Sequence, residues 1–260
     1  MSVRLQPKRE LTVDKLRVRV YGSRQTMAVA AARAVADTIR RCIDQRGSCV
    51  VVFAAAPSQK EFLEALRLSQ AIDWSHVKAF HLDEYLGLPE EAPQRFSRFL
   101  KEKLFDWVPL AEVHYLNGNA DDPQKECIRY SRLLAENPID IACIGIGENG
   151  HIAFNDPPVA DFEDPYRIKV VELDEKCRLQ QVHDGCFASL AEVPTHALTM
   201  TIPSIMSAKW VYCAVPGPTK QEAVKSAIEG PISTACPASI LRRHPRSVLF
   251  LDSPAASLLE

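Results

Sequence analysis

Ile139-Asp140-Ile141-Ala142-Cys143-Ile144-Gly145-Ile146-Gly147-Glu148-Asn149-Gly150-His151-Ile152-Ala153-Phe154-Asn155-Asp156-Pro157-Pro158 decides the reading of this chain. The apolar run from Ile139 to Ile144 has the character of a buried strand, and it stops at glycines that let the backbone come close to a small ligand. Open α/β sheets hold their ligands at this place, outside the carboxyl ends of their strands. Into the bend the chain puts one histidine, His151, and five residues later one carboxylate, Asp156. An imidazole and an acid on a rigid scaffold suit acid–base chemistry. The glycines alone fit equally well a loop whose histidine caps a neighbouring element, so the rest of the chain has to decide.

Outward from this stretch, apolar segments alternate between strand-like and helix-like patterns. Arg17 to Tyr21 reads as a short strand, and Thr26 to Arg41 as an amphipathic helix with Ala28, Ala31, Ala32, Val35 and Ile39 at helical spacing. Cys49 to Ala54 is a continuous apolar run of the kind buried on both faces of a parallel sheet, followed by Pro57 and Ser58 opening a helix through Leu68. Val77 to Leu82 is the next strand, then come a helix around Phe96 to Leu104, a short strand at His114 to Leu116, and a helix from Asp122 to Glu136. Further strands are predicted at Arg167 to Leu173, Leu198 to Ile202, Trp210 to Val215 and Val248 to Leu251, with a helix from Thr219 to Glu229 ended by Gly230-Pro231. Repeated β-α-β order predicts an α/β fold: one domain over residues 1–260 with a doubly wound, mainly parallel sheet and helices on both faces.

Composition excludes several function classes. At 260 residues and 47% apolar content the chain has material for a substantial core. A net charge of −2, with both signs spread along the length, gives no footprint for nucleic acid or for an anionic membrane. The amino terminus lacks a secretory apolar core and no run is long enough to span a bilayer, which predicts a cytoplasmic protein. Eight scattered cysteines without C-x-x-C spacing read as free, buried thiols, with none assigned to a metal or to catalysis. Oligomeric state is not legible, and a homo-oligomer stays open.

Placed on this layout, the polar residues gather at the same ends of their strands. Ser58 follows the strand ending at Ala54, Asp83 and Glu84 follow Leu82, His151 and Asp156 follow Gly145, and Lys220 follows Val215. A hydroxyl, paired acids, an imidazole and a lysine converging on one sheet edge suit a sugar-phosphate enzyme. In His81-Leu82-Asp83-Glu84-Tyr85, repulsion and partial burial would raise at least one carboxyl pKa, as a base that holds and returns a proton requires. The same pair also reads as a helix-capping Asp beside a solvated Glu, Lys220 as a solvated helix lysine, and His81 as a structural histidine.

His81-Leu82-Asp83-Glu84-Tyr85-Leu86-Gly87-Leu88-Pro89 and Gly145 through Pro157 resemble the two motifs of the glucosamine-6-phosphate deaminase (isomerase) family, which is related to the 6-phosphogluconolactonases. Further resemblance runs in order through Leu116-Asn117-Gly118-Asn119-Ala120, Val193-Pro194-Thr195-His196-Ala197-Leu198-Thr199-Met200, Lys220-Gln221-Glu222-Ala223-Val224 and Ile228-Glu229-Gly230-Pro231-Ile232-Ser233, and on to Pro237-Ala238-Ser239 and Ala255-Ala256-Ser257-Leu258. It implies ring opening of an amino-sugar phosphate, proton transfer from C2 to C1, and loss of ammonia to leave fructose 6-phosphate, without metal or organic cofactor. On that resemblance Asp83 is the base, Glu84 its neighbouring acid, and His151 the ring-opening acid/base. Asp156 orients His151, Asn149 belongs to the same catalytic group, and Lys220 binds phosphate. Gly147 and Gly150 supply close backbone approach to the ligand.

Several positions depart from the family pattern. Asp156 stands where the family usually has Glu, so its carboxylate must approach His151 differently or act through water, and Asn149 stands where many members have Asp. Ala54-Ala55-Ala56-Pro57-Ser58-Gln59 replaces a Thr-Gly-Gly-Thr-Pro type turn, which should weaken a cradle of backbone amides and leave Ser58 one hydroxyl contact. The family's phosphate-binding arginine, expected within residues 180 to 186, is absent from Gln180-Gln181-Val182-His183-Asp184-Gly185-Cys186, leaving Arg178 as the nearest candidate. A lactonase or an isomerase on a related sugar is the alternative within enzymes. A sugar-sensing module without turnover is the alternative outside them, though it has little use for Asp83, Glu84 and His151 together.

Overall fold

A computed structural model describes residues 5–260. The main sheet has eight strands in the order β1-β2-β11-β10-β7-β3-β4-β6. They are β1 (Arg9–Val13), β2 (Leu16–Tyr21), β3 (Cys49–Phe53), β4 (Val77–His81), β6 (Glu112–His114), β7 (Ile141–Ile144), β10 (Trp210–Val215) and β11 (Ser247–Asp252). All neighbours pair in parallel except β1, which runs antiparallel to β2 at the edge. β1 is a hairpin partner that the sequence reading does not contain. Its Arg-Glu-Leu-Thr-Val alternation has too few apolar residues to announce a buried strand.

Alternate residues of each central strand feed two separate cores, as strand geometry requires. Cys49, Val51 and Phe53 face α1 (Arg24–Arg46), α2 (Lys60–Arg67) and α3 (Phe96–Lys103). Val50 and Val52 face the layer of α4 (Pro123–Glu136) and α7 (Gln221–Glu229). Helix α1 starts at a reciprocal cap between Ser23 and Thr26, a device that contributes about 1 kcal/mol. It stops at Gly47, whose φ of 76° only glycine adopts without strain.

The expected single sheet needs one correction. The strands read at Arg167 to Leu173 and Leu198 to Ile202 exist as β8 (Ile168–Glu172) and β9 (His196–Met200), but they lie outside the parallel sheet. With β5 (Asp83–Tyr85) they build a three-stranded antiparallel sheet in the order β5-β9-β8. Periodicity shows that a segment is extended and cannot show which partner it hydrogen-bonds. Two further helices are α5 (Glu175–His183) and α6 (Ile202–Met206).

β3 sends its connection through α2 to β4 on one side, while β7, its neighbour on the other side, sends its connection toward the small sheet and β10. The strand order reverses between β3 and β7. A crevice therefore opens beyond their carboxyl ends, with the small antiparallel sheet beside it.

Candidate active site

Four segments that are far apart in sequence line this crevice. The loop after β3 brings Ser58, the end of β4 brings Asp83, the loop after β7 brings Gly147 and His151, and α5 brings Gln180 and Gln181. A larger cavity of about 890 Å³ lies elsewhere, between α4 and β8, and none of these residues reaches it.

Asp83 sits at the first position of β5 and is 6% exposed. Burial pushes its carboxyl well above the ordinary value, and the charge of Glu84 adds to the push. Glu84, the next residue on the strand, points to the opposite face, where its carboxylate caps α3. Oε1 accepts the amides of Tyr85 (3.1 Å) and Phe96 (3.0 Å), Oε2 accepts the amide of Ser97 (2.9 Å), and the Arg95 guanidinium stands 4.0 Å away. Burial still lifts its carboxyl above the usual range against these hydrogen bonds. The expected acid beside Asp83 is thus turned from the crevice, and the one capping carboxylate of the pair is the Glu rather than the Asp.

His151 is held from behind. Its Nδ1 lies 2.8 Å from Asp156 Oδ1 and 2.7 Å from Asn149 Oδ1, so Nδ1 carries the proton and shares it between two acceptors. This assignment leaves Nε2 as the free nitrogen. Asn149 completes a closed ring of contacts by donating Nδ2 to Asp156 Oδ1 at 2.9 Å and accepting the His151 amide at 3.1 Å. The shorter Asp156 side chain reaches the imidazole directly, without the intervening water that its length left open. Burial raises the Asp156 carboxyl, but the bonds from His151 and Asn149 and the Asp174 amide outweigh it and hold the group below its ordinary value.

Glycines here serve packing more than ligand contact. A Cβ on Gly147 would stand 2.1 Å from the His151 ring, so the imidazole occupies the space a side chain would need. Gly150 does not line the crevice. It takes φ 85° and abuts Cys236, and its carbonyl accepts the Ala238 amide at 2.9 Å. The loop is further fixed on β9: Thr199 Oγ1 accepts the Phe154 amide at 3.0 Å, and Asn155 donates to the Met200 carbonyl at 2.8 Å.

The anion-binding expectations divide. Lys220 is 4% exposed, in no ion pair among the described residues; burial lowers its ammonium from the ordinary value while Asp184, Glu148 and Cys177 oppose that shift. A solvated helix lysine does not fit this burial. Ser58 stands in a 3-10 turn where the amides of Ala55, Ala56 and Ser58 find no acceptor among the described residues, so the alanine loop still presents free donors. Arg178 is the clear correction. Its Nη2 donates to the carbonyls of Leu190 (2.7 Å) and Val193 (2.9 Å), outside the crevice. In its place α5 offers Gln180, bonded to the Glu148 amide at 2.7 Å, and Gln181, whose amide group makes no side-chain hydrogen bond among the described residues. Gln181 and Thr199 are absent from the sequence-based site, although each lies in a segment that the reading quoted.

The model of a family described as glucosamine-6-phosphate isomerases/6-phosphogluconolactonase matches residues 22–250. A glucosamine-6-phosphate deaminase of Bacillus cytotoxicus is 38% identical over 94% of this chain and 89% of its own length. One from Bacillus thuringiensis is 44% identical over 72% of this chain and 70% of its own. Among solved structures, a monomeric glucosamine-6-phosphate deaminase superposes with a TM-score of 0.85 at 32% identity, covering 93% of this chain and 99% of that one. A 6-phosphogluconolactonase from Trypanosoma brucei gives 0.77 at 17% identity over 97% and 100%, a likeness of fold. A family model spanning most of the chain, together with a relative of this identity and coverage, is decisive: the chain belongs to the glucosamine-6-phosphate isomerase/6-phosphogluconolactonase family.

Proposed function

We propose that the chain is an amino-sugar phosphate deaminase/isomerase that converts glucosamine 6-phosphate and water to fructose 6-phosphate and ammonia. The observation that carries this reading is the pairing, across one crevice, of a buried carboxyl that retains its proton readily with an imidazole whose Nδ1 is tied to Asp156. Ring opening needs a proton delivered to the ring oxygen and one removed from the anomeric hydroxyl, a task for a group with one nitrogen free and its tautomer fixed. His151 has that form. Moving a proton from C2 to C1 needs a second group that takes it and gives it back, which suits a carboxyl raised toward neutrality. Asp83 fills that role, with Asn149 and Asp156 positioning His151 and Glu84 holding α3.

Lys220, with the Ser58 hydroxyl and the free amides of residues 55, 56 and 58, binds the phosphate. The amino group then leaves from the ketimine-level intermediate as water adds to C2, so that the nitrogen departs as ammonia and the oxygen stays as the ketose carbonyl. The test is to mix the purified chain with glucosamine 6-phosphate and measure ammonia and fructose 6-phosphate, with Asp83→Asn as the blank. Equal formation of both, absent from the blank, supports the reading. Well-folded chain that forms neither, while hydrolysing 6-phosphogluconolactone, would replace it with the lactonase alternative.

A further inference from the structure

At the end of the sheet opposite the crevice, the last turn of α1 brings Cys42 against Cys49, the first residue of β3. Their sulfurs and a carboxylate oxygen of Asp140 all lie within 4.8 Å of one another. Both thiols are free, Cys49 is fully buried and Cys42 is 8% exposed. Asp140 is already neutralised twice, by Arg46 at 2.6 Å and Lys209 at 3.0 Å, and its other oxygen accepts the Val50 amide at 2.9 Å. A carboxylate so engaged has no charge to spare for a cation, which disfavours a metal and leaves the two sulfurs as the reactive pair. Gly47 lies between them in the left-handed turn that folds α1 back onto β3.

We infer that Cys42 and Cys49 form a peroxide-oxidisable dithiol, with Cys42 the attacking sulfur and Cys49 the resolving one. In the first step the Cys42 thiol gives up its proton to solvent and the thiolate attacks one peroxide oxygen; the O–O bond breaks, one hydroxyl stays on sulfur as a sulfenic acid, and the other takes a proton from solvent and leaves as water. In the second, Cys49 sulfur attacks Cys42 sulfur, the S–S bond forms, the S–O bond breaks, and the hydroxyl departs with the Cys49 proton as a second water. Two thiols lose two electrons, and hydrogen peroxide gains them. The environment favours this direction. Cys42 is the less deeply buried sulfur, and its pKa is lowered by the neighbouring Cys49 thiol and by Arg46 against the opposing push of burial and Asp140. Cys49 moves the opposite way, raised by the neighbouring Cys42 and by burial. Cys186 is the most accessible of the eight cysteines, yet burial and Asp184 push it up to about 11, so exposure alone would select the wrong thiol.

The experiment treats the full chain with hydrogen peroxide and reads intact mass and non-reducing peptide maps. The expected result is a loss of about 2 Da, reversed by dithiothreitol, and a single cross-linked peptide joining Cys42 to Cys49. Cys49→Ser should stop at a dimedone-reactive sulfenic acid on Cys42, and Arg46→Gln should slow alkylation of Cys42 by iodoacetamide at neutral pH. Oxidation that begins at Cys186, a bridge between other cysteines, or a wild-type chain whose Cys42 peptide stays reduced while others oxidise would each overturn the inference. The wild-type map decides it even if a variant fails to fold.

Discussion

Asp83 stands directly opposite Thr199 in the register of the small sheet, and the Thr199 hydroxyl accepts the Phe154 amide of the His151 loop. One threonine thereby sets the proposed base and the proposed ring-opening group against each other, although 68 residues of sequence separate Asp83 from His151. Neither the parallel sheet nor the loop after β7 could fix that relation alone.

Thr199→Val keeps the shape of the side chain and leaves the Phe154 amide buried without an acceptor. The cost expected for such a group is about 1–3 kcal/mol of stability. Thermal unfolding should show the loss, and kcat should fall with it because the loop carrying His151 is released. A variant as stable and as active as wild type would remove Thr199 from the site.

Asp83→Asn should abolish turnover and yet stabilise the fold. The folded carboxyl binds its proton more tightly than the unfolded one, so its contribution is fully present below the ordinary value of 3.8 and is lost as pH rises through the folded pKa. The Asn variant escapes that loss. Its melting temperature should match wild type in acid and exceed it at neutral and higher pH, and a constant difference across the range would contradict the raised pKa.

Asp156 runs in the other sense. Its folded pKa is depressed, so the stability it contributes is present above the ordinary value of 3.8 and is lost as pH falls through the folded pKa. Asp156→Asn should therefore be less stable than wild type at neutral pH and converge with it in acid. Without the carboxylate charge that fixes the tautomer at Nδ1, His151 loses its acid/base form, and kcat should drop by about 10²–10⁴-fold, the usual worth of the general acid/base it positions. Steady-state kinetics beside pH-dependent melts would separate the two effects.

Glu84→Gln weakens the cap on α3 and should cost about 0.5–2 kcal/mol. Its activity should remain well above that of Asp83→Asn, since the changed group faces α3. Equal loss in both variants would return Glu84 to the chemistry.

Lys220→Met should raise KM for glucosamine 6-phosphate about tenfold or more, by loss of a charge-assisted contact of about 1.5–3 kcal/mol, with less change in kcat. The melting temperature should hold or rise, because a buried ammonium in no ion pair among the described residues has been removed. An unchanged KM would place the phosphate elsewhere.

Much of this was legible in the residues. The continuous apolar runs of β3, β7 and β10 are buried on both faces and announce a parallel sheet without help from context, and the ends of those runs locate the crevice. What stayed hidden depends on partners. β5 is three residues, two of them acids, and becomes a strand only because β9 pairs with it. Arg178 looked like a phosphate ligand by its position in the chain, but a guanidinium takes whichever acceptors the fold brings to it, here two turn carbonyls. Lys220 read as a phosphate ligand, with a solvated helix lysine as the alternative, and its burial, which a polar Lys-Gln-Glu helix start does not announce, is set by the fold around it. Glu84 and Asp83 are adjacent letters with the same charge. Only the pleat tells them apart.

That last fact carries a constraint on inheritance and on engineering. The acid that faces the crevice and the acid that clasps α3 are distinguished by strand parity alone, odd to one side and even to the other. A single-residue insertion between Leu82 and Asp83 would exchange their duties, leaving the longer side chain in the crevice and the shorter one reaching for Phe96 and Ser97. Anyone moving this crevice onto another scaffold must transplant the count of residues from the end of β4 along with the residues themselves, since the spelling Asp-Glu has no meaning out of phase.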